Sequence, residues 1–256
     1  MRRLFTVAAK SVLALLGLVT VGLMAFASYL AWHYAYGIGL PDRNRLAAVS
    51  ATGPACSTDP RRTYVALADL PPLLRKAAIL SENPDYYERP SLNLFAELAL
   101  AIAHDRMPRP SYITGSVTRC LMSLAEGCCH GQTLDRAIGE IVLQHRVVRA
   151  LSRDRILEIF LNESYLGRGS YGVGGAAMSY FGKPLDTLTI DEIALVAALP
   201  RAPSFWHGRG RDLMVERRNS LIDKMLRAGI INDVEAASAR ERPLELREIP
   251  PQSRSL

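Results

Sequence analysis

Lysine is nearly missing from this chain of 256 residues. Only Lys10, Lys76, Lys183 and Lys224 occur, so a formal net charge of +6 rests on 27 arginines. Arginine suits forked recognition of phosphate and carboxylate, whereas lysine acts as a point charge. No basic run carries interleaved aromatic residues, and aromatics make up only 7% of the chain, which excludes nucleic acid as a partner. Cysteine is also scarce. Cys56, Cys120, Cys128 and Cys129 form no Cys-x-x-Cys pair and have no histidine at zinc spacing, so the sequence offers no metal ligand set. His130 directly follows Cys129, a poor chelating geometry. In an oxidising compartment Cys120 can bridge to Cys128 or Cys129; free, partly buried thiols are the equal alternative. Strand-like alternation and internal repeats are absent too, which leaves a nearly all-helical body.

What is present begins with an apolar run. Ser11 to Trp32 carries no charge and spans about 33 Å as a helix, roughly a bilayer core. Arg2, Arg3 and Lys10 precede it, and Trp32, Tyr34 and Tyr36 suit an interfacial belt. The reading is a cytoplasmic N-terminus over residues 1–10, an uncleaved anchor over 11–32 and an exported body. The rival is a cleaved signal peptide, because Ala25-Phe26-Ala27 resembles a cleavage site. Residues 33–66 lack periodicity and read as a linker. With 49% hydrophobic residues, the remainder suffices for one globular domain, placed at 67–242, with a disordered tail over 243–256.

Local signals place the helices. Asp69-Leu70-Pro71-Pro72 opens one that runs to Glu82 and stops at Pro84. Glu82 thus sits at a helix C-terminus, where the dipole opposes a carboxylate and favours the protonatable group that acid–base work requires. Leu92 to Ala103 is apolar nearly all round but too short to span a bilayer, and suits a core helix or one dipping into a membrane surface. Tyr112 to Leu124 passes from a Gly/Ser/Thr loop into an apolar-periodic stretch. Thr133 opens a long helix with apolar residues at Leu134, Ile138, Ile141, Val142, Val148 and Leu151. Arg136 and Glu140 form an i, i+4 pair on another face, and His145 reads as a satisfied core residue.

Ser152 caps the next helix, whose apolar stripe is Ile156, Ile159 and Phe160. Thr189-x-x-Glu192 is a capping box before Ile193 to Leu199, closed by Pro200. Between these helices, Gly167-x-Gly169-x-x-Gly172 matches a dinucleotide-binding fingerprint. That motif needs a strand before it; a helix precedes it here, and the nucleotide reading is rejected. Asn162-Glu163-Ser164 matches a glycosylation sequon only formally. A further helix, about Leu213 to Arg227, carries Arg217-Arg218.

The stretch SRDRILEIFLNESYLGRGSYGVGGAAMSYFGK followed by LTIDEIALVAALPRAPS resembles the family 51 glycosyltransferases, the peptidoglycan glycan-chain polymerases. The resemblance covers roughly Leu70 to Ala239, and it is to the monofunctional, membrane-anchored kind; the Ser-x-x-Lys and Lys-Thr-Gly motifs of a transpeptidase are not found. It implies a mainly α, lysozyme-like glycosyltransferase domain behind one N-terminal transmembrane helix. The first family motif is kept at Glu82, with Asn83, Tyr86 and Arg89 replacing or following in the places of Asp, aromatic and His. The second, normally Ser-Thr-Ile-Thr-Gln-Gln with a Lys three residues on, reads Gly115-Ser116-Val117-Thr118-Arg119-Cys120, with Ser123 at the Lys position. The third, Arg-Lys-x-x-Glu, reads Arg136-Ala137-x-x-Glu140. The fourth is intact through Asn162, and the fifth is Arg217-Arg218.

The implied catalytic residues are Glu82 and Glu140, and the implied substrate contacts are Ser116, Thr118, Arg119, Arg136, Asn162, Arg217 and Arg218. The implied partners are lipid II, the growing lipid-linked glycan, the bacterial inner membrane and other cell-wall synthesis proteins. No cofactor is required by the residues, and a divalent cation (magnesium or manganese) is the one addition the resemblance allows. The lost cations at Ser123 and Ala137 favour a second reading, a non-polymerising relative that binds lipid-linked precursor or cell-wall proteins. Glycan hydrolysis by paired carboxylates is a third, and the intact fourth motif opposes it.

Overall fold

The computed structural model describes residues 2–33, 36, 39–49, 53–57, 62–88, 112–123, 134–201 and 210–248. The sequence expectations on Arg89, on Leu92 to Ala103 and on Cys128, Cys129 and His130 lie outside the described residues. Among those residues the fold is helical and contains no β-strand, only an isolated bridge between Tyr165 and Tyr171. In chain order the helices are α1 (Arg2–Trp32), α2 (Arg43–Val49), α3 (Pro72–Glu82), α4 (Tyr112–Met122), α5 (Leu134–Ala150), α6 (Arg153–Glu163), α7 (Gly172–Tyr180), α8 (Ile190–Ala198), α9 (Gly210–Arg227) and α10 (Asp233–Glu241).

Their borders follow the local signals. Pro72 supplies the first turn of α3, where a missing N–H costs nothing. Ser152 accepts the Arg155 N–H at 3.1 Å to cap α6. The Thr189 N–H donates to the Glu192 carboxylate at 2.9 Å at the start of α8. Asn232 and Glu235 form a reciprocal capping box on α10, at 2.8 and 2.9 Å. Within α1, Leu13–Trp32 is long and apolar enough to cross a membrane, and none of that window is buried by the rest of the chain.

Two helices act as hubs. α8 carries Ile193, Ala194, Leu195, Val196 and Ala197, all buried; it packs against α3, α7, α9 and α10. A helix apolar on every side belongs at the centre of a bundle. α4 packs against α5 and α6 through Ile113, Val117 and Leu121, an i, i+4, i+8 row. The Tyr112 hydroxyl at the start of α4 donates to the Pro200 carbonyl at 2.6 Å, which ties the two groups together. On α5 the deeply buried positions are Leu143 and Val147, whereas Ile141 is 41% exposed. Of the expected stripe, Leu151 is buried in the core and Val142 and Val148 pack against it, while Ile141 faces out. His145 is also not the satisfied core residue expected: its Nδ1 is buried with no hydrogen-bond partner among the described residues. Burial, with Arg149 nearby, holds the imidazole pKa below its usual value.

Two segments expected to be loose are packed. The stretch read as a linker contributes Leu40, Leu46 and Ala55 to the core, and α2 packs against α5. The stretch read as a disordered tail from 243 buries Leu244; the Arg247 N–H donates to the Tyr180 carbonyl at 2.7 Å. Apart from the short α2, these segments run without helical or strand period, and their partners lie far away in the chain.

The straps explain α6. The sequence predicts one buried stripe, yet every residue from Arg155 to Glu163 is buried. The lead-in covers the polar face. Asn162 exchanges hydrogen bonds with the Val65 backbone, accepting from N–H and donating to C=O at 2.8 Å each. Glu158 accepts from the Leu67 N–H at 2.7 Å and from the Tyr64 hydroxyl and Arg155. Glu163 accepts from the Ala55 and Cys56 N–H groups at 3.0 and 3.3 Å and pairs with Arg62 at 3.3 Å.

Burial alone would raise the Glu158 pKa, but the Tyr64, Leu67 and Arg155 donors outweigh it and hold the pKa below 4.5. For Tyr64, burial and the bond to Glu158 push its pKa up to about 12, so it remains a donor. Glu192 behaves like Glu158: burial opposes the charge, while Lys183 and Thr189 more than restore it. A carboxyl depressed on folding adds stability above its unfolded pKa and loses it as pH falls through the folded value. Thermal stability should therefore hold from pH 7 to about 5 and fall below about 4.5. Glu158→Gln should flatten that acid limb in melts recorded from pH 7 to 3.

Candidate active site

The candidate residues divide into those facing one another and those absorbed into the scaffold. Glu82 ends α3 with 4% of its surface exposed, and the Ser81 hydroxyl donates to its Oε1 at 3.3 Å. α3 stops there because Asn83 leaves helical geometry and Pro84 follows. Beyond it the Asn83 amide donates to Asp85 at 2.5 Å. Tyr86 is buried, donates to the Arg153 carbonyl at 2.8 Å and lies edge-on to Tyr87. The Tyr87 hydroxyl donates to Asp154 at 2.7 Å; burial and that carboxylate push its pKa up to about 12. The turn carrying Glu82 is thus fastened to the start of α6.

The second and third motifs meet directly. Arg119 on α4 pairs with Glu140 on α5, Nη1 to Oε1 at 3.0 Å. The Arg119 guanidinium also lies 5.9 Å from the Tyr112 ring centroid, and Gly115, one turn earlier, leaves room for it. Both charges retain water contact, with 42% and 27% of their side-chain surfaces exposed. A pair of this kind contributes well under ~1 kcal/mol to stability, so it is better placed to greet a charged ligand than to hold the fold. Arg136 lies one turn before Glu140 on α5. Ser116 is half-buried on α4.

The other candidates serve the scaffold. Thr118 is fully buried and donates to the Thr114 carbonyl at 2.9 Å. Asn162, expected at the substrate, has its amide committed to Val65 and to the Glu158 carbonyl. Its burial also leaves the sequon inaccessible. Arg218 is 2% exposed and donates to the Arg240 and Arg242 carbonyls, at 3.2 and 2.9 Å, and to Asn219. It satisfies carbonyls at the end of α10, where a cation is favoured. Asn162 and Arg218, expected as substrate contacts, are thus bound to groups of the chain itself, whereas the neighbouring Arg217 on α9 is half-exposed.

Sequence reasoning missed the pairing of cysteines. Cys120 on α4 is bonded to Cys56 in the lead-in, with Cα atoms 5.8 Å apart. The expected partners, Cys128 and Cys129, lie nearer in sequence; the packed lead-in brings Cys56 to α4 instead. No local pattern marks a bridge across a separation of 64 residues. The Glu163–Arg62 pair, with Arg62 stacked 3.6 Å over Tyr171, was also missed. The glycine-rich loop joining α6 to α7 has positive φ at Gly167, Arg168, Gly169 and Gly172. It returns on itself through the Tyr165–Tyr171 bridge and is no phosphate loop after a strand.

A family model described as Transglycosylase matches residues 49–226, most of the helical body. The chain belongs to the transglycosylase family. Among similar transglycosylases is penicillin-binding protein 1A of Rickettsia bellii (strain RML369-C), 32% identical over 256 residues, covering 93% of this chain and 31% of the relative. Penicillin-binding protein 1A of Escherichia coli (strain K12) is 38% identical over 176 residues, 67% of this chain and 20% of the relative. This transglycosylase thus spans less than a third of either relative's length. A crystal structure of penicillin-binding protein 1A from Haemophilus influenzae superposes with a TM-score of 0.42 at 25% identity, over 73% of this chain and 18% of that one. The family match begins at residue 49, inside the stretch read as a linker, in line with the buried lead-in.

Arg119→Ala should shift the melting temperature by no more than about 2 °C, as expected for an exposed pair; melting curves of the two proteins test it.

Proposed function

We propose that this chain is a membrane-anchored peptidoglycan glycosyltransferase that polymerises lipid II with inversion at the anomeric carbon. The observation that carries this reading is Glu82, a carboxyl group buried at the C-terminal end of α3. A carboxyl group at that end of a helix is a candidate general base. In the proposed reaction the acceptor's sugar 4-hydroxyl gives its proton to Glu82. Its oxygen bonds to the donor's anomeric carbon as the bond to the pyrophosphate oxygen breaks, and undecaprenyl pyrophosphate leaves. Arg119 stabilises the charge developing on the leaving group, and Glu140 orients Arg119 through their ion pair.

Among the described residues no three histidine, cysteine or carboxylate side chains converge as a metal cage, and no step is routed through a cation. The proposed topology has α1 in the bacterial inner membrane and the body outside the cytoplasm. The basic residues Arg2, Arg3 and Lys10 support it, as does the Cys56–Cys120 disulfide, since such bonds persist in oxidising compartments. Lipid II, the growing glycan and other cell-wall synthesis proteins are the proposed partners.

One observation favours the second reading, a binding relative without turnover. Ser123, at the place of a family lysine, donates its hydroxyl to the Cys120 carbonyl at 2.6 Å and supplies no charge. The deciding experiment is polymerisation of labelled lipid II by the full-length protein in detergent, with and without divalent cation. Polymer formation supports the transferase. Folded protein that binds lipid II and makes no polymer establishes the binding relative.

A further inference from the structure

The second motif is rebuilt around a covalent bond. α4 reads Tyr-Ile-Thr-Gly-Ser-Val-Thr-Arg-Cys-Leu-Met. Its centre, Thr114 to Thr118, is five consecutive residues of low helix propensity, one of them glycine. Its helical register is therefore imposed by tertiary contacts. Apolar contacts through Ile113, Val117 and Leu121 fix one side. At the other, Cys120 is bonded to Cys56. Ser123 closes the same end, its N–H reaching the Arg119 and Cys120 carbonyls at 3.1 and 3.2 Å and its hydroxyl the Cys120 carbonyl. Arg119 lies between these fixed points, next to the bridged cysteine, and reaches Glu140.

Cys56 is itself a firm anchor. Its N–H and that of Ala55 donate to the buried Glu163 carboxylate, which is pinned by Arg62. The chain continues through Val65 and Leu67, held by Asn162 and Glu158. The bond thus joins α4 to the polar face of α6, a helix buried from Arg155 to Glu163. Three second-motif positions that depart from the family pattern, Arg119, Cys120 and Ser123, act as one unit: a cation, a covalent anchor and a cap.

We infer that the Cys56–Cys120 disulfide is a positioning pair for Arg119, setting the register in which the guanidinium meets Glu140 and the leaving group. The inference rests on the transferase reading above. A guanidinium fork is demanding of orientation, so a helix free to shift by a fraction of a turn loses it. Reduction is a two-electron step. A dithiol such as dithiothreitol supplies two electrons and two protons, the S–S bond becomes two thiols, and the dithiol closes to its cyclic disulfide.

The test uses the full-length protein in detergent with labelled lipid II, either oxidised or reduced with dithiothreitol and capped with iodoacetamide. A Cys56→Ala/Cys120→Ala protein excludes effects of the cap itself. In both bridge-free forms kcat should fall about tenfold or more, with KM within about twofold, because misplacement weakens charge stabilisation after binding. Arg119→Lys should start lower and lose at most about twofold on reduction, since an ammonium on a flexible stem tolerates a shifted register. Loss of kcat confined to the arginine protein supports positioning. Equal losses in both proteins would assign the bond to general stability and overturn the inference, as would an active enzyme indifferent to reduction. Absence of polymer from the oxidised wild type would instead defeat the transferase reading, and the inference with it.

Discussion

Glu82→Gln should lower the proposed lipid II polymerisation by ~10²–10⁴-fold, the usual contribution of a positioned base, while the protein stays as stable as the wild type or becomes more so. The two halves share one cause. Glu82 is 4% exposed, at the last residue of α3, where exposed carbonyl ends already present partial negative charge. An amide has nearly the same shape, keeps an acceptor for the Ser81 hydroxyl and carries no charge to bury. A buried surface-type glutamate kept by chance would gain stability with no loss of turnover. A structural glutamate would lose both. Only a group retained for chemistry shows loss of turnover without loss of stability. The measurement is initial polymerisation rate beside the melting temperature, on the same preparations.

Gly172→Ala should be strongly destabilising. Gly172 opens α7 with φ of 70°, a left-handed conformation that costs a side-chain-bearing residue ~1–3 kcal/mol. A Cβ there would also lie 2.9 Å from the Asn162 Cα and closer still to its carbonyl oxygen. That obstacle is backbone, in a helix buried on all sides, so it does not yield cheaply. The loop must open instead, weakening the bond from the Gly172 N–H to the Ser164 carbonyl, now 2.8 Å. The expected loss is about 3–4 kcal/mol in total, or a fall in melting temperature on the order of 10 °C. Gly169→Ala is the internal control: its φ of 67° is similar, but no atom lies within 4 Å of the added carbon. It should cost only the conformational part, about 1–2 kcal/mol. Equal losses at the two glycines would show that the close approach to Asn162 contributes nothing.

Much of the helical frame was legible before the structure. α3 begins at Pro72 and ends at Glu82 because prolines stand at both sides. α6 begins after Ser152, and α8 begins after Thr189, because caps act on N–H groups two or three residues away. Such signals are contained within a turn of chain. The candidate site was legible only in part. Glu82 and Glu140 were named by motif, but the direct meeting of Arg119 with Glu140 depends on how α4 lies on α5. The motif also named Asn162 and Arg218, whose partners turn out to be backbone groups of Val65, Arg240 and Arg242. Backbone acceptors carry no residue identity, so no sequence pattern announces them.

The sequence by itself determined an apolar N-terminal helix, a helical body with its principal borders, membership in the transglycosylase family and the carboxylate on which the proposed chemistry turns. Each of these is written in short-range periodicity, capping residues or contiguous motif. Only the tertiary structure decided that the lead-in is core, that the residues from 243 to 248 strap the body, that Cys120 takes Cys56 and that Arg119 takes Glu140. Those outcomes are contacts between segments remote in sequence, as in the 108 residues separating Ala55 from Glu163. The free energy that selects them comes from burial and mutual satisfaction of polar groups, which exist only once the helices have packed.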